Sequence, residues 1–228
     1  MINIKLLFII LDYGNNKKIK YLLNRYGIKV KTVSNAKGTA TPSVLSYFGL
    51  TQTKKEMYMA IIPDYLSIKI INRLKSYFKL NNIGTGITFT IPISSSNKYL
   101  SDMYKKDNID RSDANMSKEN NIKHHLIITI VAEGYLEQVM NAAKRVGCSG
   151  GTVIKGRGLN NIRHVKTLGF NIEPEKDIIL NIVTEEEKTK VMEEITKEVG
   201  IKTKGMGVCF SLPVDEISGI DKINKQII

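Results

Sequence analysis

The sequence predicts an α+β protein built from two copies of one β-α-β-β-α-β unit, and three observations carry that expectation. The chain repeats itself at an offset of 120 residues. Each copy alternates short apolar runs with helical periodicity in the same order. Between the copies lies a stretch rich in Ser, Asn, Asp and Lys that lacks sustained apolar periodicity and reads as a solvated linker. The expected domains are therefore a first repeat over residues 1–93, a polar linker over 94–123, and a second repeat over 124–228.

The repeat is read residue against residue. "LLFIILDYGNNKKIKYLLNRYGIKVKTVSNAKG" from Leu6 lies over "LIITIVAEGYLEQVMNAAKRVGCSGGTVIKGRG" from Leu126 without a gap, so that Gly14 meets Gly134, Arg25 meets Arg145, and Gly27 meets Gly147. With one inserted residue, "GTGITFTIP" from Gly84 meets "GMGVCFSLP" from Gly205.

In the second copy the apolar run Leu126 to Val131 predicts a strand. A helix follows, because Leu136, Val139, Met140, Ala143 and Val146 fall on one face at spacings of three and four. Gly147 is placed to end it as a left-handed cap. A second strand is expected from Gly151 to Ile154, and a third from Asp177 to Val183. Thr184-Glu185-Glu186-Glu187 reads as a capping box with anions at the positive end of the next helix, whose buried stripe is Val191, Met192, Ile195 and Val199. "GVCFSLP" makes the fourth strand. The first copy repeats the order, with Ile19, Leu22, Leu23 and Tyr26 on its first helix and Ile71, Leu74 and Phe78 on its second. Each copy is thus a ferredoxin-like unit, one antiparallel sheet with two helices on one face. In the second copy's first strand both residue parities are apolar, which predicts that something also covers the helix-free face.

Charge divides the copies. Residues 1–93 hold 14 Lys/Arg against 3 Asp/Glu, whereas residues 124–228 hold 14 against 14. The excess gathers at Lys17, Lys18, Lys20, Lys29, Lys31 and Lys37, and suggests an acidic partner for the first copy. Cys148 and Cys209 are the only cysteines, which excludes a disulfide framework and zinc-type spacing and fits a reducing compartment. The opening apolar run stops at Asp12, and no run approaches the ~18 residues of a membrane span, so a soluble cytoplasmic protein without membrane insertion is expected.

A β-α-β-β-α-β unit with "TVIKGRG" after its second strand and the ending "KGMGVCFSLPVDEISGI" resembles the P-II-like signal transduction proteins, relatives of the nitrogen regulators. The resemblance covers nearly all of the second copy. It implies a regulator with no chemistry of its own, a homotrimer that binds an adenine nucleotide in clefts between neighbouring units. A loop after the second strand then reports ligand state to a transporter, an enzyme or a transcription factor, here in nitrogen regulation. By that resemblance the ligand-binding positions are Thr152, Lys155, Gly156, Arg157, Gly158, Gly205 and Gly207, and the target-contact loop carries Arg163, His164 and Lys166. Glycines let backbone N–H groups approach an anion, and a nearby cation adds charge complementarity. Three positions depart from the family pattern. Leu159 stands where a cation follows Lys-Gly-x-Gly, Val208 stands where a lysine follows Gly-x-Gly, and the "PVDEISGI" ending lacks arginines. These leave open a smaller ligand such as a mononucleotide, or none.

No cofactor is required on this reading, no metal site is expected, and the protein is not expected to be an enzyme: no Ser/His/Asp set, paired-carboxylate motif or Walker sequence occurs. His124 and His125 are adjacent in a strand and point to opposite faces, which argues against joint ligation of a metal. The alternative is a ferredoxin-like nucleic-acid-binding module, favoured by the basic first copy but lacking the aromatic signature of such modules: "TGITFTI" has only Phe89, and no K/R-G-F/Y-G-F stretch occurs.

Overall fold

The computed structural model describes residues 3–39, 52–82, 84–96, 100, 103–104, 123–157, 165–167, 170–172 and 175–220. In the first repeat, β1 (Ile4–Asp12), α1 (Asn16–Arg25), β2 (Lys31–Gly38), β3 (Thr53–Pro63), α2 (Asp64–Tyr77) and β4 (Gly86–Pro92) follow in the expected order. The second repeats that order with β5 (His124–Ala132), α3 (Leu136–Arg145), β6 (Thr152–Arg157), β9 (Glu175–Thr184), α4 (Glu185–Val199) and β10 (Val208–Val214). The first strand and first helix of the two repeats begin and end at the 120-residue offset read from sequence. Gly27 and Gly147, just past the first helices, both take positive φ (68° and 100°), a conformation costly for any residue with a Cβ. The capping box at Thr184 is formed: its hydroxyl accepts from Glu187 N–H, and the Glu187 carboxylate accepts from Thr184 N–H at 2.9 Å.

The chain divides into two compact units, and their boundaries differ from the expected ones. Unit 1 holds Met1–Asn35, Lys54–His124 and Pro213–Ile228, and unit 2 holds Ala36–Thr53 and His125–Leu212. Pairing explains the difference. β11 (Ile217–Ser218), a strand beyond the expected order, runs antiparallel to β4 with Ile217 opposite Phe89, so this segment belongs to unit 1. Lys37 and Gly38 pair with Val153 and Thr152, and Thr39 N–H donates to the Gly151 carbonyl at 2.9 Å, so this segment belongs to unit 2. Most of the expected linker lies outside the described residues. Tyr104 within it is not solvated as expected, being 1% exposed with its hydroxyl donating to the Ile61 carbonyl.

In unit 1, β1 pairs antiparallel with β3 and β4. Leu7, Ile9 and Leu11 project toward α1 and α2 and pack with Ile19, Leu23, Ile70 and Leu74, because alternate strand residues share a face. On the other parity Phe8 stacks on Phe89, with ring centroids 4.9 Å apart.

In unit 2, Ile127 and Val131 of β5, Ile179 and Val183 of β9 and Val153 of β6 face the helices and pack with Val139, Ala143, Val191 and Ile195. Residues of opposite parity, Ile128, Ile130 and Ile178, are half-buried, and Val208 and Phe210 of β10 are 49% and 40% exposed. The segment expected as a loop between β6 and β9 contains a hairpin, β7 (Val165–Thr167) against β8 (Phe170–Ile172).

The first residues of each repeat share one electrostatic device. Lys5 of β1 pairs with Asp64 at the start of α2, and at the matching positions His125 pairs with Glu185 at the start of α4.

Candidate functional site

At the end of unit 2 where β5 stops, β6 continues and β9 begins, three segments meet. Lys155 of β6 places its ammonium 2.7 Å from Glu133 Oε1 and 2.8 Å from Asp177 Oδ1. Asp177 is almost wholly buried, whereas Lys155 and Glu133 are each half-exposed. Asp177 and then Glu133 hold the Lys155 ammonium above the ordinary lysine range, and Lys155 holds the Glu133 carboxyl below its own. The turn Gly205-Met206-Gly207 closes on the same strand end, since Ala132 N–H donates to the Gly205 carbonyl at 3.0 Å. Lys155 and the glycine turn therefore converge on Ala132 and Glu133.

The structure does not gather every expected position there. Thr152 and Gly156 lie on the opposite face of β6 from Lys155, because parity alternates along a strand. Thr152 is buried in the sheet against Leu180 and Gly38. Arg157 shares the Lys155 face and is exposed. Gly158, Arg163 and His164 lie outside the described residues. Lys166 is described by its backbone alone, opposite Asn171 in the hairpin. Glu133 and Asp177, the partners that position Lys155, were missed by sequence reasoning. Their signal was slight, an acid opening the otherwise apolar run "DIILNIV". Glu56 occupies the position matching Asp177 in unit 1, where it accepts hydrogen bonds from the N–H groups of Gly14 (3.1 Å) and Asn15 (3.3 Å) and from the Tyr58 hydroxyl.

Elsewhere, Asp64, Asp215 and Glu216 come close enough to share a cation, but the Lys5 ammonium already lies among them, 2.7 Å from Asp64 and from Glu216. Burial pushes both thiols, Cys148 and Cys209, above the ordinary cysteine range, which disfavours the nucleophilic thiolate. Among the described residues, no helix is long and apolar enough to cross a membrane.

The fold and this ion-paired, glycine-turned strand end define a ferredoxin-like βαββαβ protein. Residues 124–222, less than half of the chain, match the family model "Nitrogen regulatory protein P-II". A solved structure, "Crystal Structure of Arabidopsis thaliana PII bound to citrate", is similar at 23% sequence identity with a TM-score of 0.34, covering 43% of this chain and 81% of that one. No curated protein matches the chain.

Proposed function

We propose that the chain is a non-enzymatic, tandemly duplicated P-II-like regulator of the cytoplasm. It senses a small ligand, an adenine nucleotide, at the Lys155 end of unit 2 and controls a transporter, enzyme or transcription factor. The observation that carries the ligand reading is the convergence of Lys155 and the Gly205–Gly207 turn on one strand end. The same geometry limits the ligand. One ammonium against two carboxylates leaves the cluster with an excess of negative charge, so a phosphate must draw Lys155 away from Glu133 and Asp177. That favours a mononucleotide over a triphosphate. Calorimetric titration with AMP, ADP, ATP and cyclic AMP is expected to show AMP or cyclic AMP binding more tightly than ATP, and Lys155→Met is expected to weaken it about tenfold, as for one charge-assisted hydrogen bond. Absence of binding by all four, or undiminished binding by Lys155→Met, defeats this reading.

The half-exposed apolar face of unit 2, with Ile128, Ile130, Val208 and Phe210, supports assembly into a homotrimer, because residues of this kind gain by removal from water. Sedimentation equilibrium should return three times the 25.6 kDa chain mass, and Phe210→Lys should shift the population toward monomer. A monomer at micromolar concentration overturns the trimer.

A further inference from the structure

The two repeats differ in the groove between their helices. In unit 2, Arg145 on α3 reaches across to Glu194 and Glu198 on α4, at 3.3 Å and 3.0 Å. These glutamates sit one helical turn apart, so together they present a carboxylate pair to one guanidinium. Carrying the repeat register onto unit 1, Arg145 becomes Arg25, Glu194 becomes Arg73 and Glu198 becomes Tyr77. The arginine is kept and both of its carboxylate partners are gone. What remains between α1 and α2 is a groove of about 500 Å³ walled by Lys18, Arg25, Lys69 and Arg73, with no acidic residue lining it among the described residues. Arg25 lies over the ring of Tyr21 (6.0 Å) and Arg73 over that of Tyr77 (5.8 Å), and both rings are about half-exposed or more.

We propose that this groove of unit 1 docks an acidic helical segment of a partner protein, whose glutamate or aspartate side chains at i and i+4 take the place that Glu194 and Glu198 hold in unit 2. The occupant follows from charge and from the internal comparison. Four like charges facing one concavity repel one another, and external carboxylates relieve that repulsion. The groove's dimensions agree: Lys18 and Arg25 on α1 lie about two helical turns apart, on the order of 10 Å, and Lys69 and Arg73 on α2 about one turn apart, on the order of 6 Å, the spacing of a carboxylate pair at i and i+4. Nucleic acid fits less well, because the backbone donors and acceptors of both walls are consumed within helices and are not available to read base edges, and the two exposed rings are already covered by arginines. The inference goes beyond the nucleotide reading and does not depend on it.

The test uses the full chain and a fluorescein-labelled, alanine-based helical peptide carrying glutamates at i and i+4. Its glutamine counterpart and a random single-stranded RNA serve as parallel probes in fluorescence anisotropy. At about 0.1 M salt the acidic peptide should bind, and binding should fall steeply toward 1 M as screening shortens. The glutamine peptide should not bind. Arg73→Glu/Tyr77→Glu, which copies unit 2 and gives Arg25 an internal partner, should reduce peptide affinity at least about tenfold with the melting temperature held or raised. The reverse change, Glu194→Arg/Glu198→Tyr with Gln138→Lys to supply the cation that matches Lys18, should add a second equivalent of bound peptide. Should the first pair of changes unfold the protein, Arg25→Gln/Arg73→Gln is judged by the same loss. The proposal is overturned by no peptide binding up to about 1 mM, by equal affinity in the variants, by equal binding of the glutamine peptide, or by RNA binding that exceeds the peptide's and is abolished by the same changes.

Discussion

Lys5→Met is expected to cost unit 1 about 3–5 kcal/mol, the range for removing one partner from a buried ion cluster. The Lys5 side chain is 9% exposed, and its ammonium contacts Asp64, Asp215 and Glu216 together. Methionine matches the aliphatic stem, so the loss isolates the charge. Three carboxylates are then left crowded, with Asp215 at 8% side-chain exposure. Glu216 keeps its hydrogen bonds from the Ser67 hydroxyl (2.8 Å) and the Thr90 hydroxyl, but not its counterion. Chemical denaturation monitored by tyrosine fluorescence reads the loss, and adding Asp215→Asn and Glu216→Gln to Lys5→Met should restore part of it. A change below about 1 kcal/mol, the usual worth of an exposed pair, contradicts the account.

The pH dependence has a definite sign. Burial alone lowers the Lys5 pKa, but hydrogen bonds to Asp215, Asp64 and Glu216 outweigh it and hold the ammonium well above the ordinary lysine range. A raised folded-state pKa means that the contribution is complete below the unfolded lysine value, about 10.4, and is lost only as pH rises through the folded value. This group therefore leaves stability flat through neutrality. Above neutrality, the difference between the parent chain and Lys5→Met should shrink only in strong alkali.

Gly207→Ala is expected to destabilise unit 2 by roughly 2–3 kcal/mol, the upper range for overpacking. A Cβ at Gly207 falls 2.4 Å from the Val199 carbonyl oxygen and 2.9 Å from Val131 Cγ1. The first of these is backbone, held in place because Gly207 N–H donates to that same carbonyl at 2.7 Å. Relief requires moving the end of α4 or the turn itself. Gly205→Ala, whose Cβ meets no atom closer than 3.1 Å, should cost less. Thermal melts of the two variants measure the difference. Should Gly207→Ala keep its melting temperature, the turn is not held by this close approach, and its glycine is required by something other than packing.

That glycine shows how a correct position can be read for an incomplete reason. From sequence, Gly205 and Gly207 are a turn open to an anion; in the fold, Gly207 is first the residue that lets β10 leave α4 against Val199 and Val131. Lys155 was read as a free cation beside glycines, and the structure ties it to Glu133, 22 residues away, and to Asp177. Neither partner lies within the Lys155 motif. Arg25 and Arg145 occupy the same position of the repeat, and their surroundings differ through residues of both helices: Arg73 and Tyr77 stand where unit 2 has Glu194 and Glu198, and Lys18 where it has Gln138.

The sequence by itself determined the element order, the helix stripes, the positive-φ glycine caps and the capping box at Thr184. All of these are written in spacings of a few residues, and the offset of 120 carries them from one repeat to the other. Only the tertiary structure decided that β11 joins β4, that Lys37 and Gly38 pair with β6 and that Lys5 gathers Asp215 and Glu216 from 210 and more residues downstream. The physical reason is that strand edges and buried charges must find partners wherever the chain brings them. An unpaired ammonium or carbonyl out of water costs the same whether its partner is near or far in sequence, so no local pattern records which partner is taken.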